Sequence, residues 1–199
     1  MASADVKATA DTFAKTAFTS FIHAPFVRLS RSGLKHGAQE LQLEDVPLDK
    51  IVGSKVFGIY FAAQWCPPCK HFTQLLAEGL TRIHLEHGPD SFGVLLVPRD
   101  RSRAAWTEHL VQHPWPSLSW GHPAGKALRE VFTVTHLPRL VVVDAQGGLI
   151  CRNARGGHAG FGFCCNPLAV FAELLRRKES GVPAVHASEE SSDDEGTEA

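Results

Sequence analysis

Apolar residues between positions 29 and 178 form continuous runs, alternating segments and helically spaced sets, which together predict alternating strands and helices. Two continuous runs, KVFGIYFAA at 55–63 and SFGVLLV at 91–97, are typical of strands covered on both faces of a sheet. The alternating segment QELQLEDV at 39–46 predicts a first, exposed strand. In LVVVDAQGGLICR at 140–152, two strand-like runs flank an Ala-Gln-Gly-Gly turn, which predicts a hairpin.

Four further segments have the features of helices. The first carries apolar residues at helical spacing, namely Phe72, Leu75, Leu76, Leu80 and Ile83. A second helix is expected to begin at a cap supplied by Asp100 or Ser102, and a third is expected over 126–132. The last helix is expected over 166–178, with Asn166 as its cap. Strands and helices in this order predict an α/β fold, in which a central mixed β-sheet is flanked by helices.

The two ends of the chain differ in composition from this central part, which predicts three segments. Residues 1–28 are rich in Ala, Ser and Thr and space their phenylalanines along one helical face. We interpret them as an N-terminal extension that is helical or serves targeting. Residues 29–178 are expected to form the folded domain. Residues 179–199 contain a block of acids and few apolar residues, which predicts a disordered acidic C-terminal tail.

Composition and charge narrow the classes of partner and compartment. The chain has 199 residues, 44% hydrophobic and 21% charged, as expected for one globular domain with attached segments. Its formal net charge of −1 argues against nucleic acid and membrane surfaces as partners. The 5 cysteines are too few and too unevenly placed for the disulfide framework of a small secreted domain. We therefore expect a reducing compartment, the cytoplasm, with the mitochondrion as the alternative.

The segment YFAAQWCPPCKHF, residues 60–72, places two cysteines at the junction between a buried strand and an amphipathic helix. Unpaired N–H groups and the positive end of the helix dipole favour the thiolate of Cys66 over its thiol. Cys69 lies one turn further along the helix, where we expect it to be less exposed. In a redox dithiol, Cys66 attacks a partner disulfide and Cys69 then attacks the resulting mixed disulfide.

Two other interpretations of these cysteines remain open on this evidence. A zinc site needs four ligands, and Pro67 and Pro68 remove two N–H groups that would stabilise metal-bound thiolates. Free cysteines are also common as inert residues of a core. The apolar strand before the pair and the amphipathic helix after it favour the redox dithiol, and no metal ligand is assigned.

The sequence WCPPCK after an apolar strand resembles the active site of tryparedoxins and nucleoredoxins, which belong to the thioredoxin superfamily. HLPRLVVVD at 136–144 resembles the Ile-Pro-Thr entry to a later strand of that family. HPW at 113–115 is similar to a Met-Pro-Trp segment, DRS at 100–102 to the same stretch in nucleoredoxins, and NAR at 153–155 to a Gln-Ala-Arg in tryparedoxins. The resemblance covers roughly residues 33–175 and implies a thioredoxin fold.

The resemblance also implies supporting roles for residues around the two cysteines. Trp65 would shield one side of the dithiol, and Pro67 and Pro68 form the turn between the cysteines. Pro138 would follow a cis peptide bond and pack against the dithiol. Leu137 would turn its backbone groups towards a bound substrate chain, which can then pair with it as a strand does.

Several positions depart from the family pattern. Tyr60 stands where thioredoxins carry a buried aspartate, and we expect it to pack in the core with its hydroxyl satisfied. Arg99 stands where tryparedoxins carry an aromatic residue, a change that is expected to affect which partner docks. We interpret His109 and His113 as solvated polar residues. We interpret Cys164 and Cys165 as loop thiols.

The function that the resemblance implies is that of a dithiol–disulfide oxidoreductase which cycles Cys66 and Cys69 without a bound cofactor. Electrons would come from a low-molecular-weight thiol, trypanothione or glutathione, or from a flavin reductase. They would pass to protein disulfides such as those of peroxiredoxins. The alternative is a nucleoredoxin-like redox-sensing binding protein, which would use the same cysteines as a switch with little turnover.

Overall fold

The structure, a computed structural model, describes residues 26–35, 38–47, 56–156 and 162–181. These residues form one sheet with helices on both faces. The strands are β1 (Phe26–Lys35), β2 (Ala38–Asp45), β3 (Val56–Ala62), β4 (Phe92–Pro98), β5 (Ser117–Leu118), β6 (Arg139–Asp144) and β7 (Leu149–Cys151). The helices are α1 (Pro67–His87), α2 (Arg103–Leu110), α3 (Pro123–Val131) and α4 (Pro167–Ser180).

The sheet is mixed, which confirms the predicted fold class. Its strands are ordered β2-β1-β5-β4-β3-β6-β7. The central strand β3 runs parallel to β4 and antiparallel to β6. Every residue of β3 is buried, because successive side chains point to opposite faces and both faces of this strand are covered.

A separate hydrophobic core lies on each face of the sheet. On one face, Tyr60 of β3 belongs to a core that includes Phe72 of α1 and Phe171 of α4. On the other face, Phe61 of β3 belongs to a core that includes Leu128 of α3. The continuous apolar runs of the central strands are therefore explained by burial on both sides, and the three-layer arrangement follows.

Side-chain caps determine where the helices begin. Ser102 caps α2 and Asn166 caps α4, each accepting a hydrogen bond from a backbone N–H three residues later. Of the two caps predicted for α2, Ser102 is therefore correct and Asp100 has a different role. The helix predicted over 126–132 is α3, which begins earlier because His122 caps it and Pro123 occupies its first turn.

Two strands were not predicted from the sequence. β1 pairs with both β2 and β5, so the strand predicted as the first one is the second. The sequence of β1, FVRLSRSGLK, mixes polar and apolar residues without a continuous apolar run, and its strand conformation depends on these pairings. β5 has only 2 residues, too few for any periodic pattern.

The predictions for the helical or targeting extension and for the disordered tail concern residues that lie outside the described ranges, apart from Phe26–Arg28 of β1 and the end of α4. The proposed segment limits at 28 and 178 stay predictions. Among the described residues, none of the helices combines the length and the apolar character that a membrane span requires.

Candidate active site

The two cysteines lie where the central strand leads into the longest described helix. β3 ends at Ala62, a turn closed by a hydrogen bond from the Cys66 N–H to the Ala63 carbonyl follows (3.1 Å), and Cys66 is the N-cap of α1. A disulfide joins Cys66 to Cys69, with 5.2 Å between the Cα atoms. Cys66 is 5% exposed and Cys69 is 0% exposed, so solvent reaches the first sulfur of the pair in preference to the second.

The prolines between the cysteines form the exposed first turn of α1. Pro67 and Pro68 have no N–H, so the first backbone donor of the helix belongs to Cys69. The N–H of Cys69 donates to Cys66 Sγ at 3.3 Å and to the Cys66 carbonyl at 3.1 Å. The turn therefore directs a hydrogen-bond donor at the sulfur of Cys66, which favours negative charge on that atom.

Trp65 directly precedes Cys66 and is held by the loop after β4. Its side chain is 46% exposed, and its Nε1–H donates to the carbonyl of Arg99 at 3.2 Å. The guanidinium carbon of Arg101 lies 4.8 Å from the centre of the Trp65 ring, which is within cation–π range. Trp65 is therefore fixed in position while keeping nearly half of its surface available to a partner.

Leu137 and Pro138 lie at the same edge of the sheet as the dithiol. The peptide bond between them is cis, as the family resemblance implies. β6 begins at the next residue, Arg139, which pairs with Phe61 near the end of β3. Pro138 is buried and Leu137 is half-buried against both hydrophobic cores. The structure thus brings the sequence-predicted site residues to one end of the sheet.

Tyr60 lies behind Cys69 with its hydroxyl hydrogen-bonded on the inner side of the site. The hydroxyl donates to the carbonyl of Cys69 at 3.1 Å and shares a hydrogen bond with Thr73 Oγ1 at 3.0 Å. Burial raises the pKa of Tyr60 to about 12, an effect that the bond to Thr73 and the charge of Arg155 only partly oppose. Tyr60 is therefore a neutral donor at physiological pH and anchors the first turn of α1.

A buried polar group that the sequence analysis missed links the loop after β4 to the turn before Cys66. The carboxylate of Asp100 is fully buried, accepts from the N–H of Gln64 at 2.7 Å and lies 2.9 Å from Nδ1 of His109. With the carboxylate ionised, Nδ1 carries the proton and donates it. Asp100 thus links the loop after β4 to α2 through His109 and to Gln64, the residue before Trp65.

The interpretation of His109 and His113 as solvated residues is wrong, because they are 2% and 8% exposed. Their ring centres are 4.4 Å apart, and the His113 ring also contacts those of Tyr60 and Trp115. Burial, and then the charge of His109, lower the pKa of His113 to about 3, so that its ring is neutral. The helical spacing of these histidines with Trp106 was the signal available in the sequence.

The three cysteines outside the dithiol differ from one another in exposure. Cys151 is buried in β7, whereas Cys164 and Cys165 are exposed beside the start of α4. Partial burial raises the pKa of Cys164, although the nearby Arg155 opposes that shift. Within the described ranges, no three His, Cys, Asp or Glu side chains are grouped as a metal site would require.

Comparison with known proteins identifies the family. A family model described as thioredoxin-like matches residues 53–149. Tryparedoxin from Trypanosoma brucei brucei is 33% identical over 107 residues, which are 53% of this chain and 72% of that protein. The chain belongs to the tryparedoxin and nucleoredoxin group of the thioredoxin superfamily. This family membership confirms the resemblance expected from WCPPCK and the HLPRLVVVD strand.

The nucleoredoxins that match are much longer proteins. Nucleoredoxin from Xenopus laevis is 31% identical over 99 residues, which are 49% of this chain and 23% of that protein. The chain therefore spans about a quarter of the curated nucleoredoxins it matches. What those proteins do as a whole does not transfer directly to this chain.

Solved structures support the same architecture. Native tryparedoxin I from Crithidia fasciculata superimposes with a TM-score of 0.56, covering 70% of this chain and 88% of that structure. At 24% sequence identity, this likeness establishes the thioredoxin fold. Together with the disulfide-bonded Cys66–Cys69 pair, the relatives support a redox function.

Proposed function

We propose that this chain is a dithiol–disulfide oxidoreductase that reduces protein disulfides. The observation that carries the proposal is the disulfide between Cys66, the N-cap of α1, and the fully buried Cys69 one turn further along. The difference in exposure assigns different roles to the two sulfurs. Cys66 is the nucleophile that meets the partner, and Cys69 is the resolving thiol that the partner does not reach.

The reaction transfers two electrons in two thiol–disulfide exchanges. The Cys66 thiolate attacks one sulfur of the partner disulfide, so that a mixed disulfide forms and the other partner sulfur leaves as a thiolate. Cys69, after losing its proton, attacks Cys66 Sγ, which forms the Cys66–Cys69 disulfide and releases the second partner sulfur. The partner gains two electrons and two protons, and no bound cofactor takes part.

The oxidised chain must then be reduced by a thiol donor through the same steps in reverse. We propose trypanothione, glutathione or a flavin reductase as the donor, and peroxiredoxin disulfides among the acceptors. These donors imply a reducing compartment, the cytoplasm or, as the alternative, the mitochondrion. The similarity to tryparedoxin supports this class of partner without distinguishing among its members.

Serine variants test the assignment of the two cysteines. Cys66→Ser is expected to abolish reduction of insulin disulfides by a thiol donor, whereas Cys69→Ser should accumulate a mixed disulfide detectable by intact-protein mass spectrometry. Cys165→Ser is the matched control, because it removes an exposed thiol outside the pair and should retain full turnover. Normal insulin reduction by the Cys66→Ser variant would refute the mechanism.

A second candidate function is a redox-sensing binding protein. The observation that favours it is the firm attachment of the half-exposed Trp65 to the loop at Arg99, which provides a fixed docking surface beside the dithiol. Steady-state insulin reduction separates the two candidates. An oxidoreductase turns over many equivalents of disulfide, whereas a sensor reacts with one equivalent and stops.

A further inference from the structure

Three arginines lie on or beside the loop that holds Trp65, and we refer to Arg99, Arg101 and Arg129 as the basic rim. Arg101 stacks on Trp65, the residue that directly precedes Cys66, at 4.8 Å from its ring centre. Arg99 accepts the hydrogen bond of the Trp65 indole through its carbonyl. Arg129 of α3 is close enough to Arg99 for its charge to act, together with the larger effect of burial, in lowering the pKa of Arg99.

The loop that carries this rim is rigidly held. The N–H of Arg99 donates to the carbonyl of Ala62 at 2.8 Å. The Asp100 carboxylate accepts from Gln64, and the Asp100 carbonyl accepts from the indole of Trp120 at 3.2 Å. Because the backbone is fixed on both sides, the loop that carries Arg99 and Arg101 keeps little conformational freedom beside Trp65.

The rim carries positive charge that is not neutralised by neighbours. None of the ion pairs formed among the described residues includes a rim arginine. Acids near the loop and beside Arg129 have other partners. Asp100 is buried against His109, Glu108 lies 3.4 Å from the Gln64 amide, and Glu130 pairs with Lys126. The positive charges of Arg99 and Arg129 repel each other, and a partner that supplies negative charge relieves this repulsion.

Two half-exposed indoles complete the surface. Trp65 and Trp120 are 46% and 42% exposed, and each donates its N–H to the loop, so that its remaining surface faces outward. Aromatic and arginine side chains together are typical of the centre of protein–protein interfaces. The surface therefore fits a polypeptide with apolar and anionic groups, rather than a cationic thiol.

We propose that the basic rim selects protein disulfides that are flanked by Asp or Glu side chains. This inference rests on the proposed function, because it concerns the partner of the same dithiol. The acidic side chains contact the rim while Cys66 attacks the adjacent sulfur. Attraction by the rim raises the local concentration of such partners and also holds them during formation of the mixed disulfide.

The test compares two peptides that each contain one intramolecular disulfide and differ only in having Glu or Lys at the two flanking positions. We expect kcat/KM to be about tenfold higher for the Glu peptide at low ionic strength. The preference should fall to about twofold in 0.5 M NaCl, since salt screens charges that are exposed to solvent. Reduction of each peptide is followed by the thiols released, with excess glutathione and glutathione reductase to regenerate the dithiol.

Rim variants connect the preference to particular residues. Arg99→Gln and Arg101→Gln should each lower the Glu-to-Lys ratio about threefold, as expected for the loss of one exposed charge contact, and Arg101→Glu should reverse it. Arg82→Gln is the matched control, because Arg82 is an exposed arginine in the second half of α1, about 24 Å along the helix from Cys66, and it should leave the ratio unchanged. Circular dichroism spectra verify that each variant is folded.

The possible outcomes distinguish this inference from the proposed function. Equal turnover of both peptides, or a preference for the Glu peptide that survives in Arg101→Glu, would refute selection by the basic rim. Either result leaves the proposed oxidoreductase function unaffected. Failure of the wild-type chain, fully reduced beforehand, to release thiols from either peptide in a single turnover overturns the proposed function itself. If the rim variants change only the KM for glutathione and leave the peptide ratio as it is, the rim serves the small donor and the inference is wrong.

Discussion

The inner and outer sides of the dithiol satisfy their polar groups in opposite ways. On the inner side, Tyr60 is buried and neutral, and its hydroxyl is bonded to Cys69 and Thr73. On the outer side, Arg99 and Arg101 are charged, and within the described part of the chain they form no ion pair. The polar groups of the inner side are hydrogen-bonded without a partner protein, whereas the arginines of the outer side would gain ion pairs from one. We infer that the inner residues position the resolving thiol, Cys69. The outer residues select the protein disulfide that the dithiol reduces.

Asp100 connects these two sides, and its removal is expected to have the largest effect. Asp100→Ala leaves the buried Nδ1–H of His109 and the N–H of Gln64 without an acceptor. Breaking a buried charged contact of this kind costs about 3 kcal/mol, which urea unfolding at pH 7 would measure. Because the loop at Arg99 also loses its anchor, we expect a lower kcat/KM with protein disulfides.

Two further variants make the Asp100 experiment specific. Asp100→Asn retains an oxygen that can accept from Gln64, so it should recover part of the lost stability. Asp90→Ala removes an exposed acid between α1 and β4 and should change the free energy of unfolding by less than about 0.5 kcal/mol. A loss no greater than that of the Asp90 variant would show that Asp100 does not join the two sides.

The buried His113 makes the inner side sensitive to acid. Its folded-state pKa is lowered from 6.5 to about 3, chiefly by burial, so the unfolded chain binds more protons between these values. The corresponding stability is fully present above about pH 6.5 and is lost as the pH falls towards 3. At pH 5 the loss amounts to about 2 kcal/mol, at 1.36 kcal/mol per pH unit.

Replacing His113 tests this linkage directly. His113→Met has no titrating group at this position, so its stability should not fall as the wild type's does. The free energy of unfolding of the variant minus that of the wild type should therefore be about 2 kcal/mol larger at pH 5 than at pH 7.5. Urea unfolding at the two pH values measures the difference, and His71→Met serves as an exposed control. The groups around His113 are His109, which is paired with Asp100, and the rings of Tyr60 and Trp115. An unchanged pH dependence in His113→Met would contradict the assignment.

The elements best predicted from the sequence are those whose burial produces a continuous apolar pattern. β3, β4 and α1 carry apolar residues at strand or helix spacing, because each packs against a layer on at least one face. The pairing of CPPC with Pro138 came from the family resemblance, since no local pattern links residues so distant along the chain. The fold and the position of the dithiol could therefore be predicted.

The residues that escaped prediction depend on contacts distant in sequence. Phe26–Lys35 is a strand because β2 and β5 pair with it, and its sequence has no continuous apolar run. His109 and His113 were interpreted as solvated because no carboxylate or Cys stands beside them in the sequence. Nothing near Asp100 in the sequence indicates that its carboxylate meets both Gln64 and His109 in the interior.

The smallest expected effect comes from the hydroxyl of Tyr60, and it tests whether the inner side only positions Cys69. Tyr60→Phe keeps the ring contacts with Phe72 and Trp115 but leaves the carbonyl of Cys69 without this donor. The expected cost is about 1 kcal/mol in the free energy of unfolding, measured with urea at pH 7. Thr73→Val should cost less, because Tyr60 then keeps its bond to Cys69.

The pH dependence of turnover separates positioning from proton transfer. Since burial raises the pKa of Tyr60 to about 12, its hydroxyl stays protonated throughout the range from pH 6 to 9. The profile of kcat/KM against pH should therefore keep the same shape in Tyr60→Phe, while its height falls by a factor of about two to five, as expected when one positioning hydrogen bond is lost. A shifted alkaline or acidic limb in this variant would instead assign Tyr60 to removal of the Cys69 proton. In that case Tyr60 on the inner side would take part in proton transfer. The inner side would then do more than position Cys69, while the outer side selects the partner.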